Sequence, residues 1–170
     1  MLEVARGRGV EVVQARAEQL PFADGSFERA VFWLVVHLVE RARAFAEAAR
    51  ILAPGGALAL VTFAPRHFGE YWLNRFLPSL QAIDRARFPT PAQLGAELPA
   101  AGFAAPRFVR LSQEATLTRE EALGRIRGGH ISTFDLLDPE EVRRGIARAE
   151  RELPERVTTR LHWLLAIAER

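Results

Sequence analysis

Ala30–Val36 (AVFWLVV) is apolar at every position, and no other stretch limits the fold as strongly. A run this short, rich in valine and aromatic side chains, predicts a strand buried on both faces. From Arg41 to Leu52 the apolar residues fall at Phe45, Ala46, Ala49 and Leu52, a helical spacing that Pro54-Gly55-Gly56 brings to a stop. Ala57–Phe63 (ALALVTF) then predicts a second buried strand. Strand, helix, glycine turn and strand make a βαβ crossover, which implies a parallel pair and an α/β fold.

The rest of the chain is more helical. Phe68–Arg87 carries Trp72, Phe76, Leu80 and Ile83 at helical spacing, with Pro78 forcing a kink or break. Thr90, Thr118 and Asp138 each precede Gln or Glu by three residues, the pattern of a capped helix start. The helix that begins at Thr90 should end near Ala101-Gly102. Arg107–Ser112 and Val157–Ala168 read as an antiparallel pair at one sheet edge, and the second of them fits helical spacing as well. Val10–Gln14 reads as a short strand.

All 23 basic residues are arginine, set against 21 acids for a net charge of +2. They alternate with acids, as in Glu140–Arg156, a pattern of solvated helix faces and not of a phosphate-tracking patch, so no nucleic-acid partner is expected. No apolar run reaches the roughly 20 residues of a membrane span, and the N-terminus lacks the form of a signal peptide. With no cysteine there is neither disulfide framework nor thiolate site, and a cytoplasmic protein is expected. The four histidines lack metal-ligand spacing.

Leu20-Pro21-Phe22 with Asp24, Ser26 and Phe27, followed by Arg50-Ile51-Leu52-Ala53-Pro54-Gly55-Gly56, resembles the class I S-adenosylmethionine-dependent methyltransferases, small-molecule branch. The likeness covers Met1–Ala64, and 65–170 would hold the acceptor-side helices and last strands of a single domain. It implies a Rossmann-like sheet with a helical insertion in the C-terminal half, S-adenosylmethionine as cofactor, and a small-molecule methyl acceptor. That cofactor is held at the carboxyl ends of the strands by a glycine-rich loop and a carboxylate. Neither is found in this sequence, so the sheet is expected to lack the family's first two strands.

Carried over by the resemblance, Arg16, Ala17, Leu34, Val35 and His37 fall where relatives line the cofactor cleft. Arg16 stands where they carry Asp; a guanidinium has donors only and cannot accept from an adenine amino group. His67 and Tyr71 follow the second strand, where the family builds its acceptor pocket, and His130 follows two flexible glycines, Gly128 and Gly129, within reach of it. His37 also reads as a packing or helix-start residue, His67 and Tyr71 as surface or lid positions, and His130 as a loop histidine. His162 reads as the solvent face of a strand, and Trp33, Trp72 and Phe76 as core. No Ser-His-Asp set is visible. Without two strands, Val10–Gln14 would stand about 14 Å from Ala30–Val36. It is expected to close up beside that strand, or the open edge to pair with another subunit, making a homo-oligomer. The alternative to an enzyme is a non-catalytic oligomeric remnant or binding module of the same fold.

Overall fold

A computed structural model describes residues 2–170. The order is α1 (Leu2–Gly7), β1 (Phe27–Trp33), α2 (Arg41–Ile51), β2 (Leu52–Phe63), α3 (Pro65–Glu70), α4 (Leu80–Arg87), α5 (Pro91–Ala100), β3 (Arg107–Thr118), α6 (Arg119–Arg127), α7 (Pro139–Glu152) and β4 (Arg156–Glu169). The four strands form one sheet in the order β1-β2-β4-β3. β1 and β2 run parallel, with Ala30 opposite Leu58 and Trp33 opposite Val61, as a βαβ crossover requires. β4 is antiparallel to both neighbours, so the expected closing pair is present, but β3 extends to Thr118 and β4 is strand throughout.

Gly56, in the first half of β2, shows why this stretch needs glycine. A Cβ there would lie 2.8 Å from the Ala53 carbonyl oxygen and 3.1 Å from that of Glu28, two backbone atoms that cannot move aside. One face of the sheet is packed by α2 and α5. Phe45, Leu52, Leu58, Leu60, Leu94, Leu98 and Leu164 are each at most 1% exposed there, and burial of such a side chain stabilises by about 1.5–3 kcal/mol. Arg41 grips Glu97 through two hydrogen bonds of 2.7 and 2.8 Å, tying α2 to α5. A second cluster, with Leu73, Leu77, Leu80, Ile126 and Ala149, joins the C-terminal helices to the far ends of β3 and β4.

Several expectations are corrected. Val10–Gln14 forms no strand; it is coil with Val10 and Val13 about half exposed, and it does not close up beside β1. β1 spans 27–33 and is not buried on both faces, since Val31 and Trp33 are 61% and 63% exposed. Trp33 is therefore no core residue, whereas Phe76 is. An apolar run records only what a strand would bury if a layer lay on each side, and none lies over Val31 and Trp33 among the described residues. Phe68–Arg87 is broken into α3, a 3-10 turn at Trp72–Arg75 and α4, with Pro78 in the break. Thr90 and Thr118 make complete capping boxes. Asp138 caps by accepting from Glu140 N, while the Glu141 carboxylate accepts from Ser79 N on a neighbouring segment. Among the described residues, no helix is long and apolar enough to cross a membrane.

Candidate functional site

β1 and β2 both end, carboxyl termini together, at a cavity of about 260 Å³. Its walls come from four regions: Leu34 and His37 after β1, Phe63 at the end of β2, His67, Phe68 and Tyr71 on and after α3, and Asp84 and Phe88 on and after α4. Thr133 closes it from the loop between α6 and α7. Leu34 turns the chain out of β1 with φ 51°, a left-handed conformation that costs a branched side chain energy, while its N–H donates to Val61 O at 2.9 Å.

The walls are aromatic and the rings are ordered by stacking. His37 lies on Phe88 at 3.8 Å and His67 on Phe63 at 4.0 Å, nearly parallel in both cases. Burial lowers His37 to a pKa of about 4, helped by the Arg87 charge. Burial also lowers His67 to about 4, with the His162 charge adding to the effect and a hydrogen bond to the Arg160 backbone opposing it. Both rings are neutral at pH 7, and both Nδ1 atoms are buried without a hydrogen-bond partner. A buried orphan nitrogen costs on the order of 1–3 kcal/mol, so such atoms mark places where a bound polar group would be welcome.

Tyr71 and His130 form the second polar element. His130 Nδ1 meets the Arg125 carbonyl at 3.0 Å; a carbonyl only accepts, so this nitrogen carries the proton. Nε2 is then an acceptor, and the Tyr71 hydroxyl donates to it at 2.9 Å. Burial pushes the Tyr71 phenol up to about 12. Asp84, 5% exposed, accepts from the Thr133 hydroxyl, which also accepts from Arg87 at 3.1 Å; burial raises the Asp84 pKa.

Of the residues singled out by sequence, the fold brings Leu34, His37, His67 and Tyr71 to one cavity and joins His130 to it through Tyr71. The surface or lid reading of His67 is corrected, since the ring is 3% exposed. Val35 lies just outside the lining and is 37% exposed. Arg16 and Ala17 lie elsewhere: the Arg16 side chain is 82% exposed beside Glu18, and Ala17 lines a separate groove with Leu20, Phe22 and Phe27. The solvent-face reading of His162 is corrected too. Its ring is 5% exposed and hydrogen-bonded to Ser112 and Glu70. Sequence reasoning missed Phe63, Phe68, Asp84, Phe88 and Thr133. Asp84 and Arg87 carried a signal, opposite charges at i and i+3 on an otherwise apolar helix face.

A bound S-adenosylmethionine was tested against these residues. Leu34 and His37 offer it one wall. Its ribose and methionine ends call for a carboxylate and a glycine turn at the strands' carboxyl ends. Gly25, Gly55 and Gly56 all lie at the opposite ends of β1 and β2, and Gly9 follows the C-terminus of α1. The described residues thus fit one side of the cofactor and not the whole of it.

Residues 1–60 match the family model described as "Methyltransferase domain". A demethylmenaquinone methyltransferase of Thermus thermophilus is 32% identical over 119 residues, covering 58% of this chain and 54% of that protein. A ubiquinone/menaquinone biosynthesis C-methyltransferase of Methylobacterium nodulans is 33% identical over 132 residues, covering 61% and 52%. The chain thus spans about half the length of the curated relatives it matches. A solved S-adenosylmethionine-dependent methyltransferase of Thermotoga maritima shares the fold with a TM-score of 0.55, over 99% of this chain and 68% of that one, at 24% identity.

Proposed function

We propose that this chain, a member of the class I S-adenosylmethionine-dependent methyltransferase family by its first 60 residues and its fold, binds a flat, uncharged aromatic methyl acceptor in the cavity at the ends of β1 and β2. The observation that carries this reading is the chamber itself, walled by Phe63, Phe68 and Phe88 and by two neutral histidines whose buried Nδ1 atoms lack a hydrogen-bond partner. A planar ring gains by stacking on Phe63, Phe68 and Phe88, and a hydroxyl group on it could donate to a ring nitrogen once the site adjusts around it. The relatives named for quinone C-methylation agree with such an acceptor.

S-adenosylmethionine, when bound, supplies an electrophilic methyl group. The chain's own share is positioning and dehydration. The aromatic walls exclude water, and the Tyr71 hydroxyl is locked by His130 so that its oxygen can still accept from a ligand. His37 or His67, neutral at pH 7, can take a proton from an acceptor hydroxyl, the ring then being cationic.

The test is a fluorescence titration with 1,4-dihydroxynaphthalene and, as control, naphthalene. The diol should bind with a Kd on the order of micromolar and naphthalene at least about tenfold more weakly, a difference that His67→Phe should erase. Equal affinity for the two would remove the basis for this reading. Calorimetric titration with S-adenosylmethionine then separates an enzyme from a binding module of the same fold. Arg16 favours the module, because its exposed guanidinium offers donors only.

The chain also self-associates on this reading. Val31, Trp33 and Leu111 stand more than half exposed on the sheet face opposite α2 and α5, and β1 presents an unpaired edge. The expected compartment is the cytoplasm, where a cysteine-free chain needs no oxidising surroundings.

A further inference from the structure

On the other side of β4 from the aromatic cavity, Ser112, His162 and Glu70 form a continuous line. Ser112 Oγ lies 3.0 Å from His162 Nδ1, and His162 Nε2 lies 2.9 Å from Glu70 Oε2. The other Glu70 oxygen is held by Arg66, and these cationic and imidazole partners keep the carboxyl below its usual range, Arg66 first and His162 second. An ionised carboxylate can only accept, so whenever the His162 ring is uncharged its single proton sits on Nε2. Nδ1 is then a bare lone pair, and the Ser112 hydroxyl must point its proton at it. The direction of every bond is thus set by Glu70. The acid orients the base, and the base already faces the proton it would take.

The strand register supplies the rest. The His162 carbonyl accepts from Ala64 N, so the backbone groups of His162 point towards β2 and away from β3. Its register partner on β3 is Ser112, which makes theirs a non-hydrogen-bonded pair. The Ser112 N–H therefore points out of the sheet along the free edge of β3, where no strand pairs with it. Ser112 is exposed, and it opens on a cavity of about 390 Å³ whose lining includes Arg66 and Arg110. Arg110 is two residues from Ser112 on one strand and shares its face.

We propose that Ser112, His162 and Glu70 form a nucleophilic acyl-transfer centre, separate from the aromatic cavity, that takes small esters bearing a negative charge. Ser112 Oγ attacks the ester carbonyl as its proton passes to His162 Nδ1. The Ser112 N–H faces the oxygen that becomes negative, and Arg110 and Arg66 hold the anionic end. The bond to the leaving oxygen breaks, that oxygen takes the proton from His162, and the acyl group stays on Ser112. Water reverses the sequence, giving its proton to His162 and then to Oγ, and frees the carboxylic acid.

The experiment uses the full chain and an alkyl fluorophosphonate. Oγ forms a bond to phosphorus, the P–F bond breaks, fluoride leaves and the serine proton goes to His162. Intact-mass analysis should show one adduct, mapped by peptide sequencing to Ser112. Ser112→Ala, an exposed position whose loss the fold tolerates, should label at least about a hundredfold more slowly, and Glu70→Gln about tenfold more slowly with the circular dichroism spectrum retained. With p-nitrophenyl acetate the same chain should release a burst close to one equivalent of nitrophenol. No adduct, or an adduct that forms as fast in Ser112→Ala, overturns the assignment and leaves the three residues a structural bond network.

Discussion

His37 lies flat against Phe88, their ring centroids 3.8 Å apart and their planes 16° from parallel. The contact holds only an uncharged imidazole comfortably, because the ring's Nδ1 is buried and Arg87 is near.

A pH dependence of stability follows from this ring and from His67. Both have folded pKa values of about 4, against 6.5 for an ordinary histidine. Between pH 6.5 and 4 the unfolded chain binds more protons, so stability falls as pH falls through that window and gains nothing from these groups above it. Together they should remove on the order of a few kcal/mol by pH 4. Urea midpoints at pH 7.5, 5.5 and 4.5 should decline, and His37→Phe with His67→Phe should flatten the slope. An equal slope in the double variant would show that other groups carry it.

Gly145→Ala should destabilise the helical half. A Cβ at this position in α7 would sit 2.7 Å from Leu77 Cδ2 and 2.8 Å from the Phe76 carbonyl oxygen. The leucine methyl could shift, but the carbonyl is backbone, so α7 itself must move. A cost of about 1–3 kcal/mol is expected, lowering the thermal midpoint by roughly 3–10 °C. An unchanged midpoint would mean that α7 slides without loss.

Arg50 binds the segment before β1 to α2. Its guanidinium reaches Glu47, Asp24 and the carbonyls of Phe22 and Leu20, while Glu47 accepts from Leu20 N at 2.7 Å. Arg50→Ala should speed amide exchange at Leu20 by about tenfold and leave that at Leu60 unchanged. Lysine at the same place should not restore protection, since one ammonium cannot span four acceptors. Slow exchange at Leu20 in either variant would count against the clamp.

Trp33→Arg tests self-association. Placing a charge amid Val31, Trp163 and the other apolar groups of the bare face should move sedimentation towards monomer by at least about tenfold in Kd. The near-ultraviolet spectrum of the packed aromatic cavity should persist. A wild-type chain already monomeric at tens of micromolar would end this reading.

Local signals were read well from the sequence. Arg50–Gly56 placed the crossover, Thr90 and Thr118 placed two helix starts, and the antiparallel closing pair was expected with its edge position. The turn and the two caps rest on residues within a few positions of one another, and the closing pair on the strand pattern of its two segments. Long-range matters were less legible. Nothing in AVFWLVV tells whether a second layer covers Val31 and Trp33, and Val10–Gln14 has strand propensity but no neighbour to pair with. The burial of His67 and His162 is hidden for the same reason, since it depends on α3 folding back over β4. The line from Ser112 to His162 depends on a register between residues 50 apart, which no spacing rule encodes.

The placement of β4 also bears on how the chain is made. β4, the last of the four described strands in chain order, lies in the middle of the sheet, between β2 and β3. Until residue 169 has emerged, β2 has only β1 beside it and β3 has no strand to pair with. Completion of the sheet therefore waits until β4 has been made, and until then β2 and β3 each keep a long unpaired edge that a chaperone would be expected to shield.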